Sequence, residues 1–508
     1  MKKIDIFLSF LMILFLTACE SDLEQVPISS MSSGSFYTTT DEIEEAVNGV
    51  YNTLADYPEN EFYLTDVRSD DFYVTPATGS SVRSWDPISN FEKTIATNEL
   101  VEYPWDNDYN GIMRANTVLN YISTDIVTNQ DTYDRLLGET KFLRAFFYFD
   151  LVKLYGKVPL VDNLVTGDEA LSIRRISVDS IYVLIINDLT DAIDLLPESY
   201  SSSDDEGRVT KYAAEGILAR VYLMRSGPQL HSDGPCLNSG EYDKALTLLN
   251  DIINSKNYEM LDNYANIFGL EYENSKEIVF DIQFTNGGYD TGGEYPGLIN
   301  SSNNYWHTIG YSPAIGTESV NVSEDLFASY DTLSADVRDN FNVIYNWYNS
   351  TVGYSQVDPV VTKWCCQDEN TWGSDRYDFA LNFPVLRYTD VLMMKAECIL
   401  QGASGTQDEV DDIVNDVRER AGLSDISNVT LDQLLEERRK EFFAEGRRWP
   451  DLVRTGKVLT VMNAWLAGSE DYLSEMPSSI DYTSIINPIP QDEIDIKDGL
   501  YDQNEGYN

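Results

Sequence analysis

Residues 436–457, EERRKEFFAEGRRWPDLVRTGK, restrict the possible folds of this chain more than any other stretch. Read as helical from about Leu431, they place Leu434, Leu435, Phe442 and Phe443 at helical spacing, an apolar stripe that needs a core to cover it. Glu437, Glu441 and Glu445 then fall on one line four residues apart, which repels on a helix unless cations neutralise it. Arg438 and Lys440 lie three residues from Glu441 and Glu437, and Arg447 and Arg448 reach back from beyond Gly446. Pro450 either stops this helix or sits in the first turn of the next. The stretch reads as a helix, a turn and a second helix knotted by ion pairs, a scaffold rather than a catalytic site.

The N-terminus sets the compartment. Lys2 and Lys3 precede an apolar run over residues 6–16 and then Leu16-Thr17-Ala18-Cys19, a secretory signal with a lipobox. The run is about eleven residues, too short to cross a bilayer as a helix. Residues 1–18 are therefore expected to be removed, Cys19 to be lipidated and residues 19–40, polar with Pro27, to serve as a tether. No later stretch approaches the length of a spanning helix, so the mature chain reads as a globular domain on a lipid anchor. A net charge of -50 excludes nucleic-acid binding by phosphate neutralisation and disfavours sulfated or uronic polymers. With only His231 and His307, histidine triads and multi-histidine metal sites are excluded as well. The vicinal Cys365-Cys366 reads as two thiols rather than a strained disulfide. No EF-hand spacing appears, and no metal or cofactor is expected.

Helical periodicity starts at Asp41, with Thr40 or Asp41 as N-cap. Residues 65–102 read as a long loop. Helices are predicted over 109–122, 133–155, 178–196, 210–224 and 242–253, the last with the small Ala245 that lets a partner helix approach. Residues 285–380 change character: they hold 16 aromatics, nine Gly and four of the eight Trp, and no sustained helical period. Helices resume over 385–401 and 409–421. The fold class is mainly α, a scaffold carrying one long irregular aromatic-rich loop face, and long loops on rigid scaffolds are where binding concentrates.

ERRKEFFAEGRRWPDLVRTGK resembles the C-terminal signature of the SusD/RagB family of Bacteroidetes outer-membrane lipoproteins, roughly ERR-x-E-[LF]-x-x-E-G-x-R-W-x-D-L-x-R. Every fixed position is filled, and Pro450 stands where an aromatic often follows the Trp. RSDDFY, RANTVLNYI, KFLRAFFYFDLVKLYGKVPLV, GRVTKYAAEGILARVYL, FPVLRYTDVLMMKAEC, VNDVRERAG, PIPQDEI and QNEGY are similar to family blocks, in family order. Glu20-Ser21-Asp22 resembles the export signal that carries such lipoproteins to the outer face. The resemblance implies tetratricopeptide-like helix pairs, with an N-terminal part over 41–225 and a C-terminal part over 226–508. It also implies a surface lipoprotein that partners a SusC-like TonB-dependent β-barrel and delivers glycans to it.

Glycan recognition needs flat aromatic faces against the C–H faces of sugars, with amides, acids or Arg for the hydroxyls. Two places offer such sets. One follows Arg68-Ser69-Asp70-Asp71, where Trp85 sits among Arg83, Ser84 and Asp86. The other is the excursion, with Asn303-Asn304-Tyr305-Trp306 and residues 364–377. The candidate ligand-binding residues are Asp71, Trp85, Tyr305, Trp306, Trp364, Trp372 and Tyr377. Each has a plain alternative, because a Trp often plugs a core and an Asp pair often braces a loop. Trp105 and Trp449 fall inside scaffold blocks and are left out. The reading is a non-enzymatic glycan-binding lipoprotein of the outer cell surface, with a neutral ligand favoured over a polyanion. The alternatives are a peptide or other nutrient-binding partner of the transporter, a helical adhesin acting only on proteins, and a secreted glycosidase. For the last, 85 acids neither supply nor exclude the necessary carboxylate pair.

Overall fold

The computed structural model describes residues 36–74, 84–288, 291–300, 302–311, 313, 320–330, 336–345, 347–349, 354–356, 359–366 and 368–507. The signal sequence, Cys19, most of the tether and Arg83 lie outside them. The long helices follow one another in space as they do in sequence. α1 (Thr40–Tyr51), α2 (Glu99–Tyr121), α3 (Gln130–Tyr155), α4 (Val178–Leu195), α5 (Lys211–Ser226) and α6 (Tyr242–Ser255) each pack on the next. This is the stacking of helix pairs that repeat-like scaffolds use to build a continuous core. α3 buries Phe142, Leu143, Phe146, Phe147, Leu151 and Leu154, which point in every direction round its axis, so it sits between α2 and α4. Gly156 ends it at φ +73°, where an added Cβ would lie 2.0 Å from the Asp233 carbonyl oxygen. Only glycine fits there.

Several boundaries differ from the sequence reading. The cap of α1 is Thr39, because only that position completes a capping box with Glu42. α2 begins at Glu99, inside the expected loop, and continues through Pro104. Asn98 caps it, and the burial of Val101, Pro104 and Trp105 outweighs the hydrogen bond that the proline removes. Before it, the helical run of α1 continues through Asn52–Asp56, Tyr57–Glu61 and Phe62–Asp66, followed by β1 (Phe72–Val74).

After α6 the chain departs and returns at α7 (Tyr388–Leu400), which packs directly on α6. The intervening residues are an insertion between two stacked helices. They carry short helices and β2 (Ile278–Ile282), β3 (Val320–Val322) and β4 (Phe383–Arg387). β1 pairs antiparallel with β3, which ties the loop after α1 to the insertion, and β2 pairs antiparallel with β4. That second pairing corrects the expected helix start at 385: FPVLR is recruited as a strand, and the helix begins only after Arg387. α8 (Gln407–Arg420), α9 (Leu431–Glu441), α10 (Arg448–Arg454) and α11 (Val458–Leu466) complete the scaffold.

α9 buries Leu434 and Leu435, with Phe442 and Phe443 just beyond its end, as their spacing predicts. Its glutamates face inward, but their cations come from elsewhere in the chain. Glu437 meets Arg338 and Arg418 at 2.6 and 3.0 Å. Glu441 meets Arg420 and Arg387 at 2.6 and 3.0 Å, and Glu445 meets Lys363 and Arg387 at 2.6 and 2.9 Å. Arg438 turns instead to Asp390 and Asp451, both at 2.7 Å. Arg439 reaches Asp70 and Asp71 at 3.1 and 2.6 Å, and Arg448 takes Asp70 at 2.7 Å. The knot therefore gathers the loop after α1, the insertion, β4 and α8 onto one helix. Pro450 lies in the first turn of α10, where its missing N–H has no partner to lose.

This arrangement sets an expected pH dependence. Burial pushes the Glu441 carboxyl up, but Arg420, Arg387 and Arg338 outweigh it and hold it down at about 2. A lowered carboxyl stabilises the fold fully above the ordinary carboxylate range, and that contribution drains away as the pH falls towards 2. Asp281 and Glu273 behave oppositely: burial, only partly offset by hydrogen bonds from Asn382, raises each to about 7. Their contribution is complete below the ordinary range and gone once the pH passes 7. Thermal unfolding across pH is expected to show a maximum at about pH 5, with lower melting temperatures on both sides. A melting temperature still rising from pH 5 to 8 would contradict this.

Candidate functional site

The structure divides the candidate residues into two groups. Asp71 is buried, its carboxylate on Arg439 and its carbonyl accepting the Ser323 N–H at 2.8 Å. Trp364 is buried with Nε1 donating to the Ala444 carbonyl at 3.0 Å and its ring stacked on Phe383 at 5.4 Å. Trp306 donates to the Asn300 carbonyl at 2.8 Å and packs between Tyr311 and Phe379. Tyr305 is buried in the same cluster. The expectation that these four offer a face to ligand is corrected: Asp71 braces a loop, Trp364 joins the main core, and Trp306 and Tyr305 fill a satellite core. An insertion of this length needs apolar contacts of its own, and its aromatics supply them.

Trp85, Trp372 and Tyr377 form the other group. Trp85 is half-buried and stacks on Tyr63 with ring centroids 5.8 Å apart and planes 12° from parallel. Tyr377 is 50% exposed, and the Arg376 guanidinium lies 4.5 Å from the centre of its ring. Trp372 is half-buried, with Nε1 donating to the Cys366 carbonyl at 2.9 Å and its edge against Tyr311. The Tyr63 hydroxyl is raised by burial and feels the charges of Glu59, Glu294, Arg376 and Glu99. Arg376, next to Tyr377, thus lies within electrostatic reach of the buried Tyr63 that backs Trp85. Tyr63, Glu59, Glu294 and Arg376 were not among the sequence candidates. The signal for Tyr63 is the continuation of the helical run past Tyr51, which brings Glu59 and Tyr63 one turn apart.

The loops bearing this face are locked together. The buried Asp378 carboxylate accepts the N–H groups of Gly287, Gly288 and Ser374 at 3.1, 3.3 and 3.2 Å. The Asn286 amide donates to the carbonyls of Asn370 and Trp372 at 2.7 and 3.1 Å. Gly293 and Phe379 exchange backbone hydrogen bonds at 2.8 and 3.0 Å. A face held this way loses little entropy on binding. Its charge is acidic: burial raises the Glu59 carboxyl, and a hydrogen bond to Glu294 and the Glu294 and Asp56 charges raise it further. Burial and these neighbours favour the protonated form of the Glu59 carboxyl. Such groups accept and donate hydrogen bonds to hydroxyls and repel anions. Cys365 and Cys366 are free thiols, as their expected reading required.

Comparison with known proteins accounts for the scaffold. Residues 23–223 match the family model described as starch-binding associating with outer membrane, and residues 345–507 match that of the SusD family. The chain belongs to the SusD/RagB family. A SusD-like protein of Bacteroides ovatus is 27% identical over 464 residues, covering 87% of this chain and 80% of that protein. The starch-binding protein SusD of Bacteroides thetaiotaomicron is 24% identical over 445 residues, covering 76% of this chain and 75% of its own. Among solved structures, surface glycan-binding protein A from Bacteroides thetaiotaomicron, in complex with laminarihexaose, superposes with a TM-score of 0.76. That match has 25% identity and covers 92% of this chain and all of the other. None of the described helices is long and apolar enough to cross a membrane.

Proposed function

We propose that this SusD/RagB-family protein is a non-enzymatic, lipid-anchored capture protein of the outer cell surface. It holds a neutral glycan on the Trp85 and Tyr377 rings and passes it to a SusC-like TonB-dependent β-barrel. The observation that carries the reading is the half-buried Trp85 laid flat on Tyr63, with the exposed Tyr377 ring on the loop of Arg376, whose charge reaches Tyr63. They supply flat aromatic surface with acids nearby to bind hydroxyls. Relatives named for starch binding and for a complex with laminarihexaose support the ligand class. The acidic rim supports a neutral ligand. Hydrolysis needs two carboxyl groups facing each other across a gap that admits the glycosidic bond. Glu59 and Glu294 are hydrogen-bonded to each other instead. The lipobox supports anchoring at Cys19, and the family supports delivery to the barrel.

The test is affinity electrophoresis of the lipid-free protein against neutral, uronic and sulfated polysaccharides, with an assay for reducing ends. Retardation by at least one neutral glycan, none by sulfated chains and no release of reducing sugar is expected. Silence of a folded sample towards every neutral glycan, or release of sugar, would overturn the proposal.

A further inference from the structure

Below the aromatic face, the helical run that bears Tyr63 continues through Glu59 and Asp56 to Leu54 and Tyr51. There it forms one wall of an open cleft of about 580 Å³, with Asn48 and Asn52 on the rim. The other wall is Ile282, Gln283, Phe284, Thr285 and Thr291. That wall is continuous with the aromatic face. An added Cβ at Gly293 would lie 3.2 Å from the Phe284 ring, and the next residue, Glu294, is the carboxyl partner of Glu59. Asn286, between Thr285 and Thr291 in sequence, ties the same loop to the Trp372 backbone. From Glu59 to Leu54 the helical run therefore faces the loop from Glu294 back to Phe284. At a helical rise, Leu54 lies roughly 15 Å from Tyr63.

The chemistry of the cleft matches that of the face. Leu54 and Ile282 are buried in its floor, and Phe284 is half-buried beside them. Amides of Asn48 and Asn52 stand at the rim, the pairing of apolar floor and amide edge that a sugar ring requires, while the Gln283 amide is bonded to Asn274 and Asp281. Its exposed acids, Asp204 and Glu206, repel anions. Its cation, Arg208, is already held by Glu139, Glu44 and Asp205 at 3.1, 3.2 and 3.1 Å. The volume lies within the range of about 300–1,000 Å³ usual for ligand pockets. We infer that this cleft is a second subsite for the same neutral glycan chain, so that the ligand is a polymer laid along the helical run from Trp85 to Phe284.

The inference rests on the glycan-binding reading, and its test separates the two. Binding of laminarin and starch, and of the corresponding trisaccharides, is measured by affinity electrophoresis and calorimetry for wild type, Trp85→Ala, Phe284→Ala and Asn48→Arg. Asn48 is an exposed helix position, so its variant fills the cleft mouth without opening the core and decides the matter even where Phe284→Ala unfolds. Asn48→Arg is expected to weaken polymer binding at least five-fold and to leave trisaccharide binding unchanged, whereas Trp85→Ala weakens both. Polymer binding unchanged in Asn48→Arg but lost in Trp85→Ala would overturn the second subsite and keep the capture reading. Equal weakening of polymer and trisaccharide by Asn48→Arg would also overturn it. A folded wild type that binds no neutral glycan would overturn both.

Discussion

Replacing Arg387 by alanine is expected to cost about 3–5 kcal/mol, the usual penalty for removing one partner of a buried ion pair. Arg387 is 1% exposed and is the hub of the knot on α9. Its guanidinium meets Glu277 at 3.1 Å, Glu441 at 3.0 Å and Glu445 at 2.9 Å, and lies 4.5 Å from the centre of the Phe442 ring. Truncation leaves three carboxylates facing one another with Arg338, Arg420 and Lys363 only partly compensating. Lysine at 387 is expected to recover a minority of the loss, because one ammonium does not reproduce the fork that serves several acids at once. Urea unfolding followed by tryptophan fluorescence measures the change. A loss of less than about 1 kcal/mol would mean that the network is replaceable and not the organising element of the fold.

Trp85→Ala is expected to weaken glycan binding by about 2 kcal/mol, roughly 30-fold, while leaving the melting temperature nearly unchanged. Trp85 is half-buried and rests on Tyr63, so its removal strips the face without opening the core. Trp364→Ala is the informative contrast. The same residue type, in the aromatic-rich insertion, sits 1% exposed against Tyr295, Phe268 and Phe383. It is expected to lose about 3–5 kcal/mol of stability, and binding only as far as the protein unfolds. Calorimetry with the best glycan and thermal unfolding of both variants give the answer. Full binding in Trp85→Ala, with lost binding in a stably folded Trp364→Ala, would move the site into the insertion core.

The contrast between these two tryptophans shows where sequence reading reaches its end. The helices that build the scaffold are legible because each one's own residues decide it: α3 is apolar all round, and α9 carries Leu434, Leu435, Glu437 and Glu441 at helical spacing. What neighbours in sequence cannot show is a partner from far along the chain. Arg387 to Glu445, and Arg439 to Asp71, are contacts of this kind, and the knot was read with the wrong cations. The recruitment of FPVLR into a strand is another case, since its pairing residues lie in β2. Aromatic composition marked the insertion correctly as unusual, but burial separates Trp306 and Trp364 from Tyr377, and burial is a property of the fold. Tyr63 was missed because the helical run beyond Tyr51 changes pitch, which blurs the period that would have exposed it.

Because α6 and α7 stack directly, the insertion between them leaves and re-enters the scaffold at neighbouring points. Closing a longer excursion between such points costs little more than closing a short one, since the entropy rises only with the logarithm of length. The insertion is nonetheless wired into the scaffold. Arg338, Lys363 and Arg387 belong to it and neutralise Glu437, Glu441 and Glu445, so an exchanged insertion keeps the fold only by supplying those charges.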